Sequence, residues 1–271
     1  MIFVVIPIFM VFYLSFMRWN LTSVNKYFIG LNNFFYLLSN KKFIKSIINT
    51  FYFAGLHIPL DLFLSLSIAL LLNRKLRGLK FFRIAYFAPV VTSMVAVSMI
   101  WLWIYDPEFG LGKYILKSIG LKPLRWIYDP HWAIPSIVFM SVWKGLGYDI
   151  VIFLAGLQNI PHFYYEAAML DGASKFKQFR YITLPLLSPI TYFVILMSII
   201  NTFKVFTQIS VMTPRGGPLY STGVMVFYIY QQAFENYKIG RASASAVILF
   251  LMVLAMIAVQ RKIGAKRIVY Q

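Results

Sequence analysis

The 271-residue chain contains no cysteine, which excludes a disulfide scaffold, thiol catalysis, iron–sulfur clusters and cysteine-based zinc sites. Acids are scarce: 8 Asp+Glu stand against 26 Lys+Arg, a formal net charge of +18. The three histidines, His57, His131 and His162, are scattered, and no two have metal-ligand spacing. The sequence has no G-x-x-x-x-G-K-[ST], no H-E-x-x-H, no G-x-S-x-G and no paired carboxylates with catalytic neighbours. No low-complexity linker divides it, so it reads as one membrane domain over 1–271. Charged residues make up 13% of the chain, about half the share of a soluble domain. What is abundant is apolar mass, 60% of the residues, and this excludes a disordered chain. With a mean hydropathy of +0.73 the basic excess reads as membrane loops, not as a nucleic-acid surface.

A span needs about 20 apolar residues at 1.5 Å rise. Six segments qualify: 1–17, 47–72, 84–105, 134–157, 186–210 and 243–260. Their 132 residues hold four charges, Asp61, Lys144, Asp149 and Lys204; the other 139 residues hold 30. A charge at bilayer depth costs several kcal/mol unless paired or hydrated, which accounts for the segregation. Continuous runs, not alternating ten-residue segments, predict helices and not a barrel. The expected fold is therefore an all-α, multi-pass membrane protein of six transmembrane helices. The first segment is short, carries Pro7 and has no basic flank; it reads as a span that an earlier natural start would extend.

Lysine and arginine divide evenly between the two sides. The loops 73–83, 158–185 and 261–271 hold 12 in 50 residues; 18–46, 106–133 and 211–242 hold 12 in 89. Density, and the cluster Arg74, Lys75, Arg77, Lys80, Arg83, place the first set in the cytoplasm.

The segment between the fourth and fifth spans carries the most information. Glu166 to Asp171 favours helix, Gly172 permits a left-handed residue, Ser174 can cap a second helix, and Pro185 suits a first helical turn. Physics alone gives a helix, a break and a second helix leading into the membrane, which is also what an ordinary amphipathic loop would look like.

Glu166-Ala167-Ala168, then Gly172, then Ile182-Thr183-Leu184-Pro185 resembles the Glu-Ala-Ala loop of binding-protein-dependent ATP-binding cassette (ABC) importer permeases. The resemblance runs along most of the chain. It is similar to the carbohydrate branch, of maltose and glycerol-3-phosphate type, at Asn49-Thr50, Phe81-Phe82-Arg83, Trp143-Lys144-Gly145-Leu146-Gly147 and Gly216-Gly217-Pro218. The turn Thr213–Pro218 departs by one extra residue. The resemblance implies a cytoplasmic coupling-helix loop, 158–185, seated in a cleft of an ATPase subunit. Glu166 would pair with a base of that subunit, Ala167 and Ala168 would allow close packing, and Gly172 would make the bend. Leu184 and Pro185 would anchor the loop to the fifth span, with Asp171, Ala173 and Ile182 completing the coupling set. It also implies partners: a second permease, two ATPase subunits, an extracytoplasmic solute-binding protein, a sugar substrate and membrane lipid, with no nucleic acid. No cofactor would be bound by this chain; ATP and Mg would be used by the partner ATPase.

Intramembrane charges are functional candidates. Within a continuous fifth span Asn201, Lys204 and Gln208 share one face, which suits a hydrated sugar path. Lys204 also suits snorkelling, and the amides suit helix–helix bonds. Lys144, beside Trp143, divides between path lining and structure. For Asp61, near Pro59, a polar contact inside the bundle is favoured over substrate. An ion-gradient-driven secondary transporter or channel is the alternative; it predicts broken half-helices in inverted repeats and an intramembrane carboxylate pathway.

Overall fold

The computed structural model describes residues 2–22, 25–73 and 79–264. Arg74, Lys75, Arg77 and the C-terminal 265–271, on which part of the charge-density argument rests, lie outside the described residues, as do the side chains of Lys80 and Arg83.

Among the described residues the regular structure is helical apart from a two-residue antiparallel ladder, β1 (Met17–Arg18) with β2 (Tyr27–Phe28), and an isolated bridge between Asn20 and Lys238. The long apolar helices are α3 (Lys41–Leu72), α7 (Ala133–Gln158) and α14 (Ile239–Gly264); α1 (Ile2–Ser15) is apolar but short. Among the described residues three helices are long and apolar enough to cross a membrane, or up to five if each of two bent pairs is one span. Between them run α2 (Asn32–Ser39), α4 (Leu79–Val91), α5 (Met94–Ile104), α6 (Leu111–Ser118), α8 (Phe163–Leu170), α9 (Lys175–Gln178), α10 (Leu184–Leu186), α11 (Ser188–Phe203), α12 (Thr207–Met212) and α13 (Met225–Tyr230).

Two of the expected spans are interrupted. The run 84–105 breaks after α4, which carries Pro89; Thr92 closes it by giving both its amide and its hydroxyl to the Pro89 carbonyl, at 3.3 and 2.6 Å. Proline contributes no amide to the helical ladder, so the chain leaves the helix there at little extra cost. The run 186–210 breaks at Lys204-Val205-Phe206, between α11 and α12. Here Val205 is buried, and the Phe206 ring lies 5.0 Å from the Tyr230 ring and 6.3 Å from that of Phe227. Aromatic packing holds Phe206 outside helical geometry, at φ −147° and ψ −57°, and overrides helix propensity.

The chain divides into two compact units. The first comprises 1–56, 94–140 and 201–255. Inside it Asn33 donates to the carbonyls of Ser15 and Met17, tying α2 to the turn after α1. Tyr105, at the end of α5's chain, stacks on Trp126 and donates to the Ser136 carbonyl at 2.8 Å. The short α12 packs along α5. The second unit comprises 57–93, 141–200 and 256–271. Its core is Ala69, Leu72, Ile150, Phe153, Leu154, Leu157, Ile160, Leu187 and Val194, supplied by α3, α7, the turn after α7, and α11 with the residue before it. Large side chains such as Phe63 and Val91 stay outside both cores, as lipid-facing surface requires.

The second unit contains a close approach between α7 and the start of α11. A side chain at Gly156 would meet Ile190 Cγ1 at 2.8 Å and Leu187 Cδ1 at 2.9 Å. Overpacking of this kind costs about 1–3 kcal/mol. Gly156→Val is therefore expected to lower the thermal midpoint of the detergent-purified protein. An unchanged midpoint would contradict the tight seam between α7 and α11.

Candidate functional site

The expected helix, break and second helix are present between α7 and α11. Its first helix, α8, runs Phe163–Leu170 with Glu166 in its first turn, where a carboxylate complements the helix dipole. Its end is a Schellman motif: the Ala173 amide donates to the Ala168 carbonyl at 2.8 Å, and the Gly172 amide to that of Met169 at 3.0 Å. Gly172 holds φ +72°, a conformation that glycine reaches without penalty. Ala168 and Ala173 are the half-buried pair brought together by this cap. Ser174 then caps α9 by accepting from the Lys177 amide at 3.4 Å, and Gln178 donates back to the Ala173 carbonyl.

From α9 the chain passes through one π-helical turn, Phe179–Thr183, into α10, with Pro185 in its first turn. The segment Lys175–Leu186 meets α11 at 64°. The loop is fastened to the second unit at two places. Tyr165 packs against the apolar core, and its hydroxyl lies 3.0 Å from the hydroxyl of buried Thr183. Leu187 is fully buried directly after α10. Ile182, Leu184 and Pro185 are half-buried along this connection.

The rest of the loop is uncovered. None of the residues of α8 is buried, and Leu170, 90% exposed, stands with Phe163, Met169, Phe176 and Tyr181 on the surface. Glu166, Ala167, Asp171 and Gly172 are exposed among them. A clamped, preorganised helix–turn–helix whose large apolar side chains face outward has the form of a docking element.

The substrate-path candidates are not gathered as expected. The break at 204–206 removes the shared helical face of Asn201, Lys204 and Gln208, because their three- and four-residue spacing no longer follows one helix. Asn201 and Lys204 are exposed and Gln208 is buried. Trp143 and Lys144 belong to the second unit, the other three to the first. Lys144 Nζ lies 3.4 Å from the Val90 carbonyl in the last turn of α4, a helix end that favours a cation.

Sequence reasoning missed one juxtaposition. Asp61 on α3 and Asp149 on α7 are both buried, and their carboxyl groups lie within hydrogen-bonding reach of each other. Ser198 on α11 donates to Asp61 Oδ2 at 3.2 Å. Each is the single acid of its span, and that was the available signal: a lone intramembrane carboxyl is cheapest when buried beside other polar groups of the bundle.

These features define a helical membrane protein whose loop between α7 and α11 is firmly capped and exposed. The sequence profile of the family described as "Binding-protein-dependent transport system inner membrane component" matches residues 37–268, and the chain belongs to that family. It is 35% identical over 266 residues to a probable ABC transporter permease protein, YurN, of Bacillus subtilis, covering 97% of this chain and 91% of the relative. To the trehalose/maltose transport system permease protein MalF of Thermococcus litoralis it is 34% identical, over 98% and 90% of the two chains. Among solved structures, a bacterial ABC transporter involved in the import of the acidic polysaccharide alginate has the same fold, with TM-score 0.84 at 23% identity over 98% of this chain and 90% of that one.

The loop geometry makes a direct prediction. A β-branched residue held left-handed costs about 1–2 kcal/mol, so Gly172→Val should open the cap. Amide exchange of a peptide covering 166–178 should speed up in Gly172→Val and remain near wild type in Gly172→Asn. Equal protection in all three proteins would contradict the left-handed cap.

Proposed function

We propose that this chain is the permease subunit of an ABC importer that moves a sugar or sugar-derived solute across the cytoplasmic membrane. The observation that carries the reading is α8: a helix fixed at both ends with no buried residue of its own. A soluble helix pays for such exposure of Phe163, Met169 and Leu170 unless a partner covers it. The partner is a cytoplasmic ATPase subunit, and Glu166 supplies the charge that orients the contact. Two ATPase subunits and a second permease complete the assembly, which crosses the membrane several times. ATP and Mg belong to the ATPase; this chain carries no nucleotide loop and works as a transport subunit, not an enzyme. An extracytoplasmic binding protein delivers the solute. This fits the family description, and another solved transporter of this fold is in complex with an alginate pentasaccharide-bound periplasmic protein. A sugar fits the trehalose/maltose and sn-glycerol-3-phosphate permeases among the relatives.

The mechanism follows from two-state physics. Closure of the ATPase dimer on ATP binds one arrangement of the paired loops better than the other, and that differential affinity shifts the helix bundle from inward-facing to outward-facing. The Schellman cap and the Tyr165–Thr183 contact make the loop stiff enough to transmit the displacement. Interrupted spans and two neighbouring buried carboxyls are present, each only part of what a gradient-driven transporter predicts. They do not separate the classes, because interrupted helices and buried acids satisfied by neighbouring helices occur in either.

The test is Glu166→Ala, alone and with Gly172→Pro, in the reconstituted complex. Losing one partner of an interfacial charge pair costs about 2 kcal/mol or more, roughly a 30-fold loss of ATPase affinity. Uptake driven by ATP should fall in parallel, and the double variant should lose both. Survival of association and uptake in the double variant would refute the coupling role.

A further inference from the structure

The even division of Lys and Arg between the two sides is left unexplained by topology. Part of it gathers in one place. Lys41, Lys42 and Lys45 of α3 and Arg215 of the 213–223 turn line a groove of about 360 Å³ with Leu219 and Tyr220, and no carboxylate lines it. All four cations are exposed. They come from two loops, 18–46 and 211–242, that the order of spans puts on one side and the lower charge density assigns to the outside.

Three local costs coincide here. Cations in the first turns of a helix oppose its dipole, and Lys41, Lys42 and Lys45 occupy the start of α3 with no acid among them. Four like charges repel one another. The backbone is strained as well: Arg215, Leu219 and Tyr220 hold φ of 62°, 54° and 60°. The turn is nevertheless riveted. Asn49 donates to the carbonyls of Tyr220 and Gly223 at 3.0 Å each, Lys45 to that of Leu219 at 2.7 Å, and the Met225 amide to Thr50 Oγ1 at 3.0 Å. The Thr222 hydroxyl donates to that of Thr213 at 2.7 Å. The strained turn buries Tyr220 against Phe227 and presents Leu219, 81% exposed, as an apolar knob beside the cations.

We infer that this outer groove, Lys41, Lys42, Lys45 and Arg215 around Leu219, is an electrostatic docking site for an acidic surface of the external solute-binding protein. The inference rests on the importer reading above and adds the surface and its charge. An apolar knob inside a charged rim is the anatomy of a protein interface, and a preorganised loop loses little entropy on association. A lipid headgroup would use the cations and leave the knob without a role.

The experiment uses the complete transporter in nanodiscs of neutral phosphatidylcholine, with ATPase activity followed as the binding protein encoded beside it is titrated. The variant is Lys41→Glu/Lys42→Glu/Arg215→Glu; Lys45 is kept because it holds the turn. The half-stimulating concentration should rise about tenfold or more at low salt, as expected when several steering charges are reversed. Salt should weaken the wild type and not the variant. Lys41→Arg/Lys42→Arg should behave as wild type, and the reversed variant should still co-purify with its partners. Equal titrations of wild type and reversed variant would overturn the docking site alone. An effect seen only after phosphatidylglycerol is added would make it a lipid site and also overturn it. A wild-type complex that the binding protein never stimulates would remove the importer reading, and this inference with it.

Discussion

Inside hydrocarbon every backbone amide and carbonyl must find its partner within the protein, and the rest of this structure is arranged around that requirement. The long helices α3, α7 and α14 meet it by length alone. Where the chain leaves the helix, the freed groups are recovered locally. The Pro89 carbonyl takes the amide and hydroxyl of Thr92, and the carbonyls of Asn201 and Thr202 take the amides of Lys204 and Val205. The interruptions are thus closed features, and they let α5 and α12 pack as short helices in the first unit.

The same constraint governs the acids. With only eight of them in the chain, every one has a traceable place. Asp61 and Asp149 meet within the second unit, with Ser198 as donor. Asp106 accepts from the amides of Glu108 and Phe109, which hold its carboxyl below the usual range and fix the turn after α5. Asp129 caps the turn at His131, and Glu235 accepts from Gln231. Glu108, Glu166 and Asp171 remain, all exposed, the last two on the loop between α7 and α11. The large basic excess comes from this parsimony, and two of the loop cations are held by aromatic faces: Lys26 lies 4.4 Å over Trp19 and Arg241 3.5 Å over Tyr36.

Much of this was legible in the residues. Runs of apolar side chains marked α3, α7 and α14 within a few residues, and Gly172, Ser174 and Pro185 marked the cap, the second start and the entry to α10. These are local signals, carried by propensity and by hydrogen bonds to near neighbours. The break at 204–206 was not legible, because it is decided by rings from α13 that lie far along the chain. Hydropathy reads a run and is blind to a ring that pulls one residue out of it. The Asp61–Asp149 contact and the grouping of Lys41, Lys42 and Lys45 with Arg215 were hidden for the same reason: each joins segments distant in sequence. The start of the chain reads weakly by either route, since α1 has 14 residues where a span needs about 20.

The central claim is that α8 is bare because an ATPase subunit covers it. The absence of cysteine makes a direct measurement simple, since one introduced thiol is unique in the chain. Leu170→Cys, at the most exposed apolar position of α8, can be labelled with a membrane-impermeant maleimide in the isolated permease and in the assembled transporter. The account predicts fast labelling of the isolated chain and strong protection in the assembly. Equal labelling in both would mean that the loop is not the docking surface.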